Sequence, residues 1–494
     1  MMAAVQFVSR RLRGAAVLGI AALLAACGGG GGGSTPAPAP TPSVSLAATP
    51  ASVAVGQNIT LSWSSQNTGA ADCTASGAWS GQQPGSGSAT IAASAPAGGF
   101  GSASSAVLSY TLTCGGTTGN TSVTVTAPVA ANSVAMSVDT GPTGAGNQIN
   151  LPYVSVTVCR PGTSTCQTID RVLVDTGSYG LRLLASQASG LGLPALAAPS
   201  GLATGECGQF ITGYTWGSVV KADVKLGGET APAQSVQIVG DAPGGVSTAP
   251  TACSSIGSNI GTLKALGANG VLGVGLLRQD CGNACANNAI TATYYSCDSG
   301  ACTATRMPLA QQVSNPVAAF TTDNNGVMLN LPAVPPGGLP SMNGTLVFGI
   351  NTQANNTIAG ETTFRATASG NFTTIYKGVT MTASFIDSGS NGIFFNDTAI
   401  PACTVSTGFY CPASTLQLSA TTVGADNLAS RVLNFTIENV EQLGNNVHVA
   451  NVGGPSAAAK SGASNVFDWG LPFFFGRRVF VGLENGTTRG YWAY

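Results

Sequence analysis

Short runs in which apolar residues alternate with Ser, Thr and other polar residues recur from residue 44 to the C-terminus, and Pro and Gly interrupt them constantly. Period-two alternation marks half-buried strands, and Gly/Pro clusters mark the turns between them. Val44–Leu46, Ala51–Val55, Ile59–Trp63, Val107–Leu112 and Ser122–Val125 read as a first set of strands. A second set comprises Val154–Val158, Val172–Val174, Val219–Leu226, Val327–Leu331, Thr345–Phe348, Val379–Ile386, Val432–Ile437 and Val479–Leu483. Apolar spacing predicts short helices at Ser186–Leu193 and Leu309–Val313, and no long amphipathic helix is evident. The chain is therefore expected to be all-β.

The boundaries follow from shifts in composition. Arg10, Arg11 and Arg13 precede an apolar run from Ala15 to Ala26, too short to span a bilayer, and Leu24-Ala25-Ala26-Cys27 resembles the lipobox of bacterial lipoproteins. That resemblance implies a signal peptide over residues 1–27, lipid on Cys27 and an exported lipoprotein of the outer membrane, facing the periplasm or the cell surface. Residues 28–43, a Gly run followed by alternating Pro, read as a tether. Residues 44–128 resemble a small immunoglobulin-like sandwich, in which Cys73 and Cys114 are expected to staple two sheets. Residues 132–494 form the remainder, with lobes expected at about 132–350 and 351–494.

The chain has 494 residues, 44% hydrophobic but only 7% charged, with a formal net charge of −1. Eighteen scattered Lys and Arg cannot build a nucleic-acid-binding patch. Of the 13 cysteines, 12 remain once Cys27 is set aside, which suggests a disulfide framework in an oxidising compartment. Local pairing predicts Cys73–Cys114, Cys159–Cys166, Cys207–Cys253 and Cys403–Cys411. Cys281, Cys285, Cys297 and Cys302 would form two more bridges of open connectivity, with a zinc site as the alternative.

Candidate chemistry rests on a repeat. Leu173-Val174-Asp175-Thr176-Gly177-Ser178-Tyr179-Gly180-Leu181 and Phe385-Ile386-Asp387-Ser388-Gly389-Ser390-Asn391-Gly392-Ile393 share one pattern, 212 residues apart. Two apolar residues lead into Asp, and a hydroxyl residue, Gly and Ser follow. Gly permits a tight turn whose N–H can face the carboxylate, and two such turns could bring their carboxylates together to share one proton and activate water. Asp139-Thr140-Gly141 is a third triplet, but it lacks the following Ser and precedes Pro142, so it is set aside as a decoy.

At these residues the chain resembles the pepsin-like, bilobal aspartic peptidases. The resemblance implies that Asp175 and Asp387 form a catalytic dyad. It further implies that Ser178 and Ser390 bond the outer carboxylate oxygens, that Thr176 and Ser388 cross-link the loops, and that Gly177 and Gly389 shape the turns. Asn269–Gly275 and Phe467–Phe474 resemble the apolar-Gly segments that complete each active-site loop. Phe210–Gly217 resembles the hairpin flap, with Phe210 or Tyr214 in the flap aromatic position and Trp216 nearby in the cleft. Arg182 stands where the family usually has Trp, and Leu471 where it has Asp. The implied function is a lipid-anchored endopeptidase acting on extended peptides or unfolded protein. It is expected to be a monomer with no cofactor, no metal and no nucleic-acid partner. The alternative is an inactive peptide- or glycan-binding surface lipoprotein.

Other chemistries find little support. His448 is the single histidine, which excludes a His-based metal site, and no Gly-x-Ser-x-Gly elbow accompanies it. Phe473–Phe475 and Tyr491–Tyr494 read as core aromatics, with a ligand-contacting rim as the alternative.

Overall fold

A computed structural model describes residues 40–69, 72–97, 105–126, 130–456 and 465–494. The segments expected to be the signal peptide, the lipidation site at Cys27 and most of the tether lie outside the described residues. Two compact units fall within Phe7–Pro128 and Val129–Tyr494. The fold is all-β, and among the described residues no helix is long and apolar enough to cross a membrane.

The smaller unit pairs a three-stranded sheet with a five-stranded one. Strand Asn58–Gln66 shows the alternation directly: Ile59, Leu61 and Trp63 are buried, while the intervening residues are exposed. Trp63 packs edge-on against Trp79 with centroids 5.3 Å apart. Cys73 and Cys114 are disulfide-bonded, but they lie on adjacent strands of the five-stranded sheet, where Thr74 pairs with Thr113. The bridge therefore fastens two neighbouring strands and does not link the two sheets, contrary to expectation.

The larger unit contains a 16-stranded sheet and a seven-stranded sheet. The large sheet includes β1 (Cys166–Asp175), β2 (Tyr179–Leu184), β3 (Ala203–Phe210), β4 (Gly213–Leu226) and β5 (Gly270–Val274). The smaller sheet includes β6 (Val379–Ile386), β7 (Ile393–Phe394) and β8 (Asp468–Trp469). The large sheet also takes in strands from late in the chain. Arg477–Gly482 pairs along Gly326–Leu331, so pairing runs across the division expected near residue 350. Alternating side chains of both sheets fill one apolar core, in which Phe395, Phe435, Phe467 and Trp469 stack and cross.

The predicted helices are shorter than expected. Ser186–Leu193 becomes the single helical turn Ala185–Ala188 and a 3-10 turn Ser189–Leu191, stopped by Gly192 in the left-handed region at φ 57°. Leu309–Gln311 is also a 3-10 turn. Strand Glu229–Val239 escaped sequence reading because Pro232 interrupts its alternation, yet it pairs along most of β4. The six described disulfides include all four local predictions. The open cluster resolves as Cys281–Cys285 and Cys297–Cys302, which takes up the thiols a zinc site would need.

Candidate active site

Each aspartate stands at the end of a strand held by the same local topology. β5 runs parallel to β1, with Gly273 opposite Asp175, and antiparallel to β2, with Gly273 opposite Gly180. β8 runs parallel to β6, with Trp469 opposite Ile386, and antiparallel to β7, with Trp469 opposite Ile393. Buried apolar residues before each Asp anchor the strand, and the chain then turns sharply through Asp-hydroxyl-Gly-Ser.

The turns satisfy their carboxylates in matching ways. Gly177 N–H donates to Asp175 Oδ1 at 2.8 Å and Ser178 Oγ donates to Oδ2 at 2.6 Å. Gly389 N–H donates to Asp387 Oδ1 at 2.8 Å, and Ser390 Oγ lies 2.8 Å from Oδ2. These bonds span two and three residues, so the motif itself builds them.

Beneath the carboxyls, the two turns interlock. Thr176 Oγ1 donates to the Ile386 carbonyl at 3.0 Å and accepts from Ser388 N–H at 2.9 Å. Ser388 Oγ donates to the Val174 carbonyl at 2.7 Å and accepts from Thr176 N–H at 3.1 Å. All four bonds are buried.

The interlock brings the carboxyls of Asp175 and Asp387 within hydrogen-bonding reach of each other. The glycines make this approach possible. A Cβ on Gly177 would lie 2.7 Å from Asp387 Cγ, and one on Gly389 would lie 2.9 Å from Asp175 Cγ. Burial raises the proton affinity of Asp175 well above the usual carboxylate range, and the facing charge of Asp387 adds to the effect. Two carboxyls so close cannot easily both ionise.

A cavity of ≈ 440 Å³ opens over the pair, lined by Asp175, Asp387, Tyr179, Leu276 and the tip of the β3–β4 hairpin at Phe210, Ile211 and Thr212. Of the expected cleft aromatics, Phe210 faces this cavity. Tyr214 and Trp216 do not: they pack with the Cys207–Cys253 disulfide and Tyr295 in a separate cluster. Along β4, Gly213 follows the two-residue turn, and the even-numbered aromatics after it point away from the dyad.

Behind the hairpin lies a buried ionic cluster that sequence reading did not anticipate. Arg182 Nη2 donates to Glu206 Oε1 at 2.6 Å and to Asp280 Oδ2 at 3.2 Å, and Tyr294 Oη donates to Asp280 Oδ1 at 2.7 Å. The Arg182 guanidinium also lies under the Phe210 ring, 5.8 Å from its centroid. Burial is the largest single effect and works against the Arg182 charge, but Glu206, Asp280 and Tyr294 together more than offset it and raise the proton affinity of Arg182. Asp280 is raised by burial and then by its neighbour Glu206. Arg182 thus places its charge against the flap ring. Leu471 contributes through its backbone: its N–H donates to the Ser390 carbonyl at 2.8 Å, a bond any side chain allows.

The remaining candidates have structural partners. Asp139 accepts from Gly141 N–H at 2.9 Å, as the other two turns do, but its second oxygen is ion-paired with Arg171. His448 is buried, with Nδ1 2.9 Å from the Gln148 carbonyl. Among the described residues, Cys403, Cys411 and Glu441 have the spacing of metal ligands, but the two cysteines are joined in a disulfide. Sequence reading also passed over Asp468, a buried carboxyl whose Oδ2 lies 2.6 Å from Ser390 Oγ. The available signal was a lone acid in the otherwise apolar run Phe467–Phe474.

Fold and site together define an all-β protein with two interlocked aspartate turns whose carboxyls face each other. Residues 128–494 match the family described as protein of unknown function (DUF3443), and the chain belongs to that family. No match was found among curated proteins. Among solved structures, an aspartic proteinase from Irpex lacteus overlaps with a TM-score of 0.40 at 17% identity, over 73% of this chain and 96% of that one. An overlap of that extent leaves the fold to be read from the strands and turns themselves.

Proposed function

We propose that this chain is a pepsin-like, two-lobed aspartic endopeptidase, exported and held to the outer membrane through lipid on Cys27. The observation that supports the reading is the close Asp175–Asp387 pair, each carboxyl held by one glycine N–H and one serine hydroxyl, on the floor of a cavity. A water between the carboxyls gives a proton to the ionised member and attacks the peptide carbonyl, whose oxygen takes the proton of the other member. Collapse of the tetrahedral intermediate breaks the C–N bond: the amine takes the proton held by the pair, and a hydroxyl of the diol returns its proton to the pair as the carbonyl re-forms. One proton remains shared, as at the start. The β3–β4 hairpin would cover an extended peptide pairing with strand edges.

The test is cleavage of an unfolded protein from acidic to neutral pH by the wild type and by Asp175→Asn and Asp387→Asn. Either substitution is expected to slow hydrolysis by about a thousandfold or more, with thermal unfolding little changed. Full activity of Asp175→Asn would exclude the mechanism. Wild-type protein that binds peptides but never cleaves them would favour the binding-module alternative.

A further inference from the structure

The second aspartate turn has a neighbour that the first lacks. Ser390 Oγ lies 2.8 Å from Asp387 Oδ2 and 2.6 Å from Asp468 Oδ2. Among the described residues, its counterpart Ser178 has a single carboxyl partner, Asp175. A serine hydroxyl has one proton, which it can place on only one of two carboxylates. The other contact is a hydrogen bond only if that carboxyl supplies a proton itself.

Asp468 is the better site for this proton. The residue is 4% exposed, and among the described residues its Oδ1 has no hydrogen-bond partner. Asp387 is less buried, and its Oδ1 accepts from Gly389 N–H. A charge on Asp468 would be desolvated with one oxygen unsatisfied, whereas a neutral acid there becomes a donor.

On the hydrolase reading above, we infer that Asp468 is a positioning residue for the dyad: a neutral carboxylic acid that donates to Ser390 Oγ and thereby fixes the Ser390 hydroxyl as donor to Asp387. A hydroxyl that accepts a hydrogen bond is a stronger donor, so the two otherwise matched halves of the site become unequal. Asp387 is held as the acceptor of the pair, and the shared proton resides on Asp175. Among the described residues, the charged groups bearing on Asp468 are Asp387 and Asp175; both add to burial, the largest effect, in raising its proton affinity, and the Ser390 hydrogen bond works against them. The Asp468 proton stays in place throughout turnover.

Two measurements test this. Infrared difference spectra of Asp468→Asn against its parent, both carrying Asp175→Asn to remove the dyad proton, require no activity. Loss of a protonated-carboxyl carbonyl band at neutral pH is expected; an unchanged band means that Asp468 is ionised and overturns the inference. The second is the pH profile of kcat. Asp468→Leu, which has no donor, is expected to move one limb by about one unit and to lower kcat more than it alters KM. Asp468→Asn, whose amide can still donate to Ser390, is expected to move that limb less. An Asp468→Leu profile that superimposes on the wild type, in protein of unchanged thermal stability, also overturns it. If no peptide is cleaved by any variant, the hydrolase reading fails separately, and the infrared result still decides whether Asp468 is neutral.

Discussion

Replacing Thr176 with Val tests the interlock of the two turns without changing side-chain volume. Thr176 is 2% exposed and its hydroxyl makes two cross-turn bonds, one given to the Ile386 carbonyl and one received from Ser388 N–H. Valine fills the same space but leaves both backbone groups without these partners. An unsatisfied buried donor or acceptor costs about 1–3 kcal/mol, so the pair should cost about 2–6 kcal/mol. Thr176→Ser keeps the hydroxyl and should cost far less. The assay is urea unfolding followed by tryptophan fluorescence; the larger unit's transition is recognised by its steeper denaturant dependence. Ser388→Ala removes the reciprocal pair of bonds to the Val174 carbonyl and Thr176 N–H. Because all four bonds share one network, the double variant should lose less than the sum of the two single losses. A Thr176→Val midpoint within about 0.5 kcal/mol of the wild type would show that the interlock does not hold the turns together.

Two further outcomes follow from the buried charges. The carboxyls of Asp175, Asp280 and Asp468 are all raised by burial, so the folded state binds protons more tightly than the unfolded chain. Their stabilising contribution is complete below the ordinary carboxylate range and is lost as pH rises through the raised values, so the larger unit should melt at higher temperature in mild acid than at neutral pH. Melting temperatures that rise steadily from acid to neutral pH would contradict this. Arg182→Leu should destabilise the larger unit by about 3–5 kcal/mol, because it leaves Glu206 and Asp280 facing each other without a cation. Urea titration reads the loss, and replacing all three charges with apolar residues should recover much of it.

Much of the site was legible because its chemistry is local. Gly177 and Ser178 reach Asp175 within three residues, and Gly389 and Ser390 do the same for Asp387, so the repeated motif already specified four hydrogen bonds. The flap was legible as a hairpin, but its facing was not. Whether Phe210 or Tyr214 looks onto the dyad depends on the two-residue turn and the resulting register of β3 on β4, and one residue's shift reverses every side chain. Cys73–Cys114 was legible as a pair, yet its place within one sheet depended on which strands became neighbours.

The sequence by itself determined an all-β chain, four of the six described disulfide pairs, and two aspartate turns with their own serine and glycine donors. The strands rest on period-two alternation, the turns on contacts within three residues, and the disulfide pairs on joining consecutive cysteines along the chain. The tertiary structure alone decided that the two turns interlock, that their carboxyls come close enough to share a proton, and that Asp468 joins one and not the other. It also gathered Arg182, Glu206 and Asp280 behind the flap. Charge coupling depends on separation in space and on exclusion of water, and neither is encoded in the local pattern around any of these residues.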